Sequence, residues 1–248
     1  MTKLIVAGCI LLLAACGGGD SPAAQGQTSA GQASLARATG NEGKSAGVSA
    51  AKGAGRALTQ RGRELVSPDD ATMVFLYYDL AGITPPIESW VELDRRLMAA
   101  PAADKAALRT TIRQELAVGA ASVADVGLIR LSLGSAKLSD YDPTYGEFTV
   151  RALSPSSMIS YTAFRQQVEL RFANGREAQT WQVPAAEAQL ISDRIGPFTA
   201  SVQLEVLLRL TGVQPGMSGG TLMVNVLEYE LQHPSDGTTL GRVRVLTE

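Results

Sequence analysis

The chain has 248 residues, of which 45 % are hydrophobic and 19 % are charged, a composition that allows one or two domains with a buried core. Its formal net charge of −2 gives no indication of nucleic-acid binding. One histidine, His233, and two cysteines, Cys9 and Cys16, exclude a zinc finger, a multi-histidine metal site and a disulfide-stapled scaffold, and nothing in the composition implies a cofactor.

The first fifteen residues have the layout of a secretory signal. Lys3 and the α-amino group precede an almost wholly apolar run, residues 4–13, which is followed by the small residues Ala14 and Ala15. A helix over this run spans roughly 15 Å, about half of the hydrocarbon core of a bilayer. We therefore expect residues 1–15 to be a cleaved signal peptide and not a transmembrane anchor.

The residues at the expected cleavage point, Leu13, Ala14, Ala15 and Cys16, resemble the lipobox of bacterial lipoproteins. In that family the cysteine becomes the first mature residue, its sulfur carries a diacylglycerol, and its amine usually carries a further acyl chain such as palmitate. The resemblance implies that Cys16 holds the protein firmly on a membrane, since two or more acyl chains bind stably. Gly17 stands where an Asp favours retention in the inner membrane, so the resemblance implies the outer membrane of a two-membrane bacterium, on its periplasmic side.

Residues 16–66 are expected to form a lipidated, flexible tether. Between residues 17 and 66 there are eleven glycines and no aromatic residue, so this segment cannot bury enough apolar surface to offset its ordering entropy. A flexible chain of about fifty residues has a mean reach of roughly 40 Å. Residues 67–248 hold all thirteen aromatic residues and carry a net charge of −6, which disfavours nucleic acid and anionic lipid as direct partners of this part.

The first part of the globular region, residues 67–124, is expected to be helical. Ser67 as N-cap and Gly82 as C-cap bound the first predicted helix. A second helix begins near Pro86, and a third covers residues 103–118. The second has its large apolar residues on one face: Ile87, Trp90, Val91, Leu97 and Met98.

From about Asp125 the hydrophobic period changes to two, which predicts strands. Asn174 and Gly175 predict a tight hairpin, and residues 184–195 predict a short helix. The expected fold is α+β, with N-terminal helices packed on a mostly antiparallel β-sandwich or curled sheet of about seven strands, and residues 67–248 form one globular unit. Alternating apolar residues occur at 129–133, 148–152, 168–172, 202–210, 222–226 and 243–245, and the strand that returns from the hairpin is expected from Trp181 to Val183.

The sequence Gly-Met-Ser-Gly-Gly at residues 216–220 resembles both the nucleophile elbow of α/β-hydrolases and the Gly-Asp-Ser-Gly-Gly stretch of serine proteases. The protease order requires a histidine before the serine, whereas His233 follows Ser218. The elbow requires a helix after the serine, whereas the residues that follow read as a strand. We therefore expect a loop between two strands.

Asp140, Asp142 and Glu147 bring three carboxylates close together in the sequence. Calcium takes oxygen ligands, so a calcium site is one interpretation. Tyr145 stands where the EF-hand spacing needs glycine, which favours an Asx-type turn as the other interpretation. His233, near Asp236, is expected to be an exposed residue at a strand end.

The sequence favours a membrane-anchored envelope lipoprotein that acts as a non-catalytic binding or assembly component facing the periplasm. Its expected partners are the membrane, through the acyl chains on Cys16, and an envelope protein; nucleic acid is not expected. Two alternatives stay open. One is a hydrolase that acts on envelope glycan with two carboxylates, and the other is a small-ligand carrier with an apolar cavity.

Overall fold

The computed structural model of the protein describes residues 58–196 and 201–246. None of the helices in these two ranges is long and apolar enough to cross a bilayer. After a 3-10 turn at Leu58–Gln60, the elements in chain order are β1 (Arg63–Val66), α1 (Asp70–Ala81), α2 (Ile87–Leu93), α3 (Arg95–Ala99), α4 (Lys105–Ala121), β2 (Val126–Lys137), β3 (Glu147–Thr149), β4 (Met158–Ala163), β5 (Gln166–Phe172), α5 (Gly175–Ala178), β6 (Thr180–Gln182), α6 (Ala185–Ile195), β7 (Ser201–Gly216), β8 (Gly219–Gln232) and β9 (Thr239–Arg244).

The main sheet has seven strands in the order β1-β2-β7-β8-β5-β4, and β9 pairs with β8 as well. Four pairs are antiparallel, namely β2/β7, β7/β8, β4/β5 and β8/β9. The pairs β1/β2 and β5/β8 are parallel, so the sheet is mixed. The predicted α+β class is confirmed, and of the two predicted architectures the curled sheet, which is not closed, is the one observed.

Strand β8 has partners along both of its edges. One edge pairs with β7, while the other is divided between β5, opposite residues 219–224, and β9, opposite residues 228–232. Two further contacts fill the gap between β5 and β9: the Asn174 side chain bonds to the backbone of Val226, and the backbone N–H of Val245 donates to the carbonyl of Leu227 at 2.9 Å. Strand β8 is therefore hydrogen-bonded to neighbours along both edges and lies at the centre of the sheet.

The inner face of the sheet forms the core, as the sequence alternation predicts. In β7 every second residue from Val202 to Leu210 is at most 2 % exposed. Each buried valine or leucine of this kind contributes about 1.5–3 kcal/mol relative to an exposed position. The residues between them in β7 are half-buried, because the opposite face of this strand is only partly covered.

Helix α1 is buried on nearly every side. Its consecutive residues Met73–Tyr78 are all buried, because the helix contacts β4, β5, β7 and β8 on one side and α4 on another. Gly82 is the C-cap with φ 66°, as predicted. The N-cap is Asp69, whose carboxylate accepts a hydrogen bond from the N–H of Thr72 at 2.8 Å. Ser67, the predicted N-cap, instead directly follows β1, and its N–H donates to the carbonyl of Arg130 in β2 at 2.8 Å.

Strand β1 lies in the stretch that the sequence assigns to the tether. It pairs in parallel with β2, and Leu65 lies opposite Ile129. Arg61, just before the strand, is 6 % exposed and forms an ion pair with Asp79 of α1. Pairing with β2 and the ion pair with Asp79 attach this segment to the sheet and to α1, although few of its own residues are apolar. The folded part therefore includes residues 58–66. The remaining tether, residues 16–57, lies outside the described residues, and its flexibility stays a prediction.

The predicted hairpin at Asn174 and Gly175 does not form. Asn174 has φ −103°, and Gly175 begins α5. The Asn174 amide extends the edge of β5 instead, since its Oδ1 accepts from the N–H of Val226 at 2.8 Å and its Nδ2 donates to the carbonyl of Val226 at 2.9 Å. Glycine is required at 175 because a Cβ would lie 2.8 Å from the carbonyl oxygen of Leu153.

The chain after α5 builds a small second sheet. Strand β6 pairs with β3, not with β5, and Trp181 of β6 lies opposite Phe148 with their ring centroids 5.3 Å apart. The helix predicted after Pro184 is α6, and it ends at Gly196 as expected, with φ 78°.

Candidate functional site

The predicted lipidation and cleavage residues, Leu13, Ala14, Ala15 and Cys16, lie outside the described residues. Acylation of Cys16 therefore stays a prediction. The geometry of the other residues that the sequence singled out is known.

Ser218 lies in the turn between β7 and β8, where Gly216 pairs with Gly219. Its carbonyl oxygen accepts a hydrogen bond from the N–H of Gln167 at 2.9 Å. Gly219 has φ 128°, and a Cβ there would lie 1.8 Å from the carbonyl oxygen of Gln167, so the turn requires glycine. His233 follows the other end of the 14-residue strand β8, roughly 45 Å away along the strand at about 3.3 Å per residue. The predicted loop is confirmed, and the only histidine of the chain cannot reach the Ser218 hydroxyl.

The acidic segment forms the predicted Asx-type turn. Asp142 Oδ1 accepts a hydrogen bond from the N–H of Thr144 at 2.8 Å, and the backbone of Asp142 bridges to Glu147. Gly146 closes the turn with φ 70°. Across the described ranges no group of three or more His, Cys, Asp or Glu side chains, Asp140 included, is placed to hold a metal ion.

His233 stands at the end of β8, as predicted, but its side chain is half-buried rather than exposed. Its backbone N–H donates to the carbonyl of Thr238 at 2.8 Å, and its Nδ1 lies 3.1 Å from Asp236 Oδ1. Both contacts close the turn between β8 and β9.

A groove of about 550 Å³ lies between the helical layer and the hairpin of β4 and β5; we call it the helix–hairpin groove. It forms because the single helix predicted over residues 86–98 is broken. Asp94 has φ −68° and ψ 127°, so α2 ends before it and α3 begins after it. The groove is lined by Trp90, Leu93, Asp94, Arg95, Met98, Ile112, Leu116, Phe164 and Arg165.

The lining of the groove is mostly apolar and aromatic. Trp90, Ile112 and Leu116 are buried, whereas Met98 is 64 % exposed. The Phe164 ring stacks on Trp90 with centroids 4.4 Å apart and planes 11° from parallel. Phe75 of α1 lies 5.6 Å from Trp90, centroid to centroid, and thereby ties the groove to the core.

Two residues, Phe164 and Arg165, connect β4 to β5, with φ 52° and 59°. A two-residue hairpin turn with both φ values positive favours Asn-Gly, because larger side chains are strained there. The left-handed conformation costs about 1–2 kcal/mol for a residue with a Cβ. Phe164 offsets this cost by its contacts with Trp90 and Phe75. Arg165 is exposed, and its side chain forms no hydrogen bond or ion pair with a residue that the structure describes.

The acidic side chains of α2 and α4, and that of Asp94 between α2 and α3, are paired with arginines of α3 and α4. In each pair the hydrogen bond to the arginine is the main reason why the pKa of the carboxyl group is lowered. The same hydrogen bonds raise the pKa of the three guanidinium groups. The pairs are Glu88–Arg113 at 2.6 Å, Glu92–Arg109 at 2.7 Å, Asp94–Arg96 at 2.8 Å and Glu115–Arg96 at 2.6 Å.

Arg95 and Arg165 are different. Both line the groove, both are exposed, and neither forms a hydrogen bond or an ion pair with any residue that the structure describes. The one carboxylate in the lining, that of Asp94, is bound to Arg96. The groove thus presents two positive charges without a partner among the described residues. They lie next to an apolar groove floor, which is formed by Trp90, Ile112, Leu116 and Phe164.

A second cleft, of about 950 Å³, opens where β5 and β9 diverge from β8. Trp181, Asn225 and Arg242 are among its lining residues. Arg242 donates to the carboxylate of Glu230, and this hydrogen bond, with those from Thr239 and Gln232, lowers the pKa of Glu230 to about 2. The main cationic group of this cleft is therefore already paired.

No protein-family model, no curated protein and no solved structure matches this chain. The choice of the helix–hairpin groove as candidate site accordingly depends on its geometry and charge alone.

The sequence predicts the helical side of this groove but not the side formed by the β4–β5 hairpin. It places Trp90 and Met98 on the apolar face of a helix but does not join them to Phe164 and Arg165. Strand β4 is missing from the predicted strands, although Ser160 and its alternating neighbours carry a period of two. Pairing that alternation with β5 would have located the hairpin, but not its position against Trp90, which depends on packing between distant segments.

Proposed function

We propose that the protein is a bacterial lipoprotein that acts without catalysis as a binding or assembly component, anchored by acyl chains on Cys16 and facing the periplasm. One observation carries the anchoring: Leu-Ala-Ala-Cys at residues 13–16 follows a positively charged start and a short apolar run. Gly17 favours the outer membrane. The folded part would then act at the end of a tether, residues 16–57, that reaches roughly 35 Å from the bilayer.

Two features of the described residues support a binding role. The helix–hairpin groove combines an apolar floor with two unpaired arginines, which is a typical combination in sites that recognise another molecule. Ser218, the residue most similar to a catalytic nucleophile, has no histidine within reach.

The chain offers a matched pair of variants to test the anchor, because Cys9 lies within the predicted signal and Cys16 at its end. The full chain is produced in a two-membrane bacterium with labelled palmitate, as the wild type, as Cys16→Ala and as Cys9→Ala. We expect the wild type and Cys9→Ala to incorporate label, to begin at residue 16 and to fractionate with the outer membrane. Cys16→Ala should carry no label.

Mass spectrometry of the purified wild type decides the result. A product that still carries residues 1–15, or one whose residue 16 is unacylated, overturns the proposed anchor. Cross-linking of the lipidated protein in intact cells tests the second half of the proposal: we expect a reproducible envelope protein among the products. Turnover of an envelope glycan by the purified protein would replace the binding role by the hydrolase alternative.

A further inference from the structure

We propose that the helix–hairpin groove binds a short acidic peptide segment of a partner protein, with one or two bulky apolar side chains seated on the groove floor. This inference deepens the proposed binding function and rests on it for the biological setting. The binding itself depends only on residues of the folded part, so it can be measured whether or not Cys16 is acylated.

The apolar half of the ligand follows from the floor. Trp90 stacks on Phe164, and Ile112 lies beside them with 1 % of its surface exposed. Met98 projects at the rim with 64 % exposure, and methionine adapts its shape to varied apolar partners. A large apolar side chain that enters the groove would rest on the buried Trp90 and cover the exposed surface of Met98 and the half-buried Phe164 from water, which is the usual source of affinity at a binding hot spot.

The acidic side chains of the proposed ligand are inferred from the positive charge of the groove. Among residues 58–196 and 201–246, Arg95 and Arg165 have no carboxylate partner, while the neighbouring acids are held by Arg96, Arg109 and Arg113. A carboxylate of the ligand would therefore meet free guanidinium groups and little competition, and such charge-assisted hydrogen bonds are among the stronger polar contacts. A basic segment would meet like charges.

A peptide fits these charges better than an anionic lipid. Arg95 comes from α3 and Arg165 from the β4–β5 turn, so the two cations belong to different elements that meet at the groove. An extended acidic peptide presents several carboxylates along its length, whereas a fatty acid or phospholipid presents one anionic group at the end of its chains.

The hairpin turn gives an independent indication of function. Phe164 and Arg165 both hold positive φ angles where Asn-Gly would fit without strain. This conformation presents both side chains to the groove. Strained backbone of this kind is concentrated at functional sites, where the side chain is needed and the conformation is tolerated.

The test measures, by anisotropy, binding of the peptide Asp-Glu-Phe-Leu-Asp-Glu-amide, which carries fluorescein on its α-amino group in place of an acetyl cap. The protein is the mature full chain with Cys16→Ala, so that no detergent competes for the groove. We expect saturable binding, and binding weaker by about tenfold or more for a peptide with Lys in place of the acids and for one with Ser in place of Phe and Leu.

Matched charge-reversal variants locate the site. Arg95→Glu with Arg165→Glu should weaken binding by about tenfold or more, whereas Arg151→Glu with Arg194→Glu, at exposed positions that do not line the groove, should change it by less than about twofold. Circular dichroism verifies that both variants are folded. In a Trp181→Phe background Trp90 is the only tryptophan, and we expect its emission to change when the unlabelled peptide is added.

Three outcomes would overturn the proposal: equal binding by the two charge-reversal variants, preference for the lysine peptide, or no binding of the acidic peptide by the folded wild-type groove. Binding of anionic phospholipid vesicles that depends on Arg95 and Arg165, without peptide binding, would assign the groove to lipid instead. A finding that Cys16 is not acylated would refute the anchor. It would not affect the peptide-binding results, because they depend only on the folded part.

Discussion

Arg165 holds a backbone conformation that costs free energy, and its exposed side chain forms no hydrogen bond or ion pair with a described residue in return. Its φ of 59° is in the left-handed region, its side chain is exposed, and glycine adopts this conformation without steric cost. We expect Arg165→Gly to raise the free energy of unfolding by about 0.5–1 kcal/mol and to weaken binding of the acidic peptide. Urea denaturation measures the first effect and anisotropy the second.

Arg165→Ala is the control for this prediction. It removes the same guanidinium group but keeps a Cβ, so the backbone strain persists. We expect weaker peptide binding without the gain in stability. If Arg165→Gly is no more stable than Arg165→Ala, the turn is not strained in the way proposed.

Glu230 gives the protein a defined response to acid. Hydrogen bonds from Arg242, Thr239 and Gln232 lower its pKa from 4.5 to about 2. Because the folded-state pKa is lowered, the contribution of Glu230 to stability is present above about pH 4.5 and is lost as the pH falls toward 2. We expect Glu230→Gln to be less stable than the wild type by about 1 kcal/mol at pH 6, and this difference to vanish near pH 2.

Thermal unfolding of both proteins between pH 2 and pH 6 measures this difference. Glu187→Gln provides the comparison, since Glu187 is exposed on α6 and forms no ion pair that the structure describes. A wild-type advantage over Glu230→Gln that does not change with pH would contradict the assigned cause.

At the scale of elements, how well a segment is predicted depends on how local its causes are. The alternation from Val202 to Leu210 needs only a period of two and one buried face, and it predicts β7 correctly. Gly82 ends α1 because the αL conformation suits glycine, again a local cause. Asn174 and Gly175 carry the local signal of a hairpin, but the contacts with Val226 and Leu153, distant in sequence, decide their conformation.

How much of the candidate site can be predicted also depends on how local its causes are. Trp90 is predictable as part of an apolar helix face, but the groove needs a helix break at Asp94 and a hairpin tip that arrives 70 residues later at Phe164. Neither the break nor the encounter has a local signal strong enough to predict it, because Asp94 is also acceptable inside a helix.

The attachment of the first strand to the sheet depends on a close approach at Gly127 of β2. A Cβ at this position would lie 2.1 Å from the carbonyl oxygen of Arg61. We expect Gly127→Ala to lower the free energy of unfolding by about 3 kcal/mol, because the backbone before β1 must move away. Denaturant titration measures the loss.

Gly134 lies in the same strand with nothing within 4 Å of its Cβ position. Gly134→Ala should therefore leave stability unchanged or slightly higher. If both substitutions have the same effect, the close contact between β2 and the segment before β1 does not exist in solution.

For the whole molecule, the structure places the start of the folded part earlier than the sequence does. A chain that begins at residue 67 would lack β1 and would leave Asp79 without Arg61. We expect residues 67–248 to unfold at lower denaturant than residues 58–248, by about 2–3 kcal/mol, since a partly buried carboxylate loses its partner. Equal stability of the two chains would show that the first strand contributes nothing.

The position of β8 also determines when the protein can fold. This strand, which joins β7, β5 and β9, ends only 16 residues before the end of the given sequence. Neither the parallel pair β5/β8 nor the long β7/β8 ladder can form until the ribosome has made nearly all of these residues, and pairings between distant segments form slowly. For the lipoprotein that we propose, a sheet that cannot close before β8 is made would keep the preceding strands unpaired and the chain open during export.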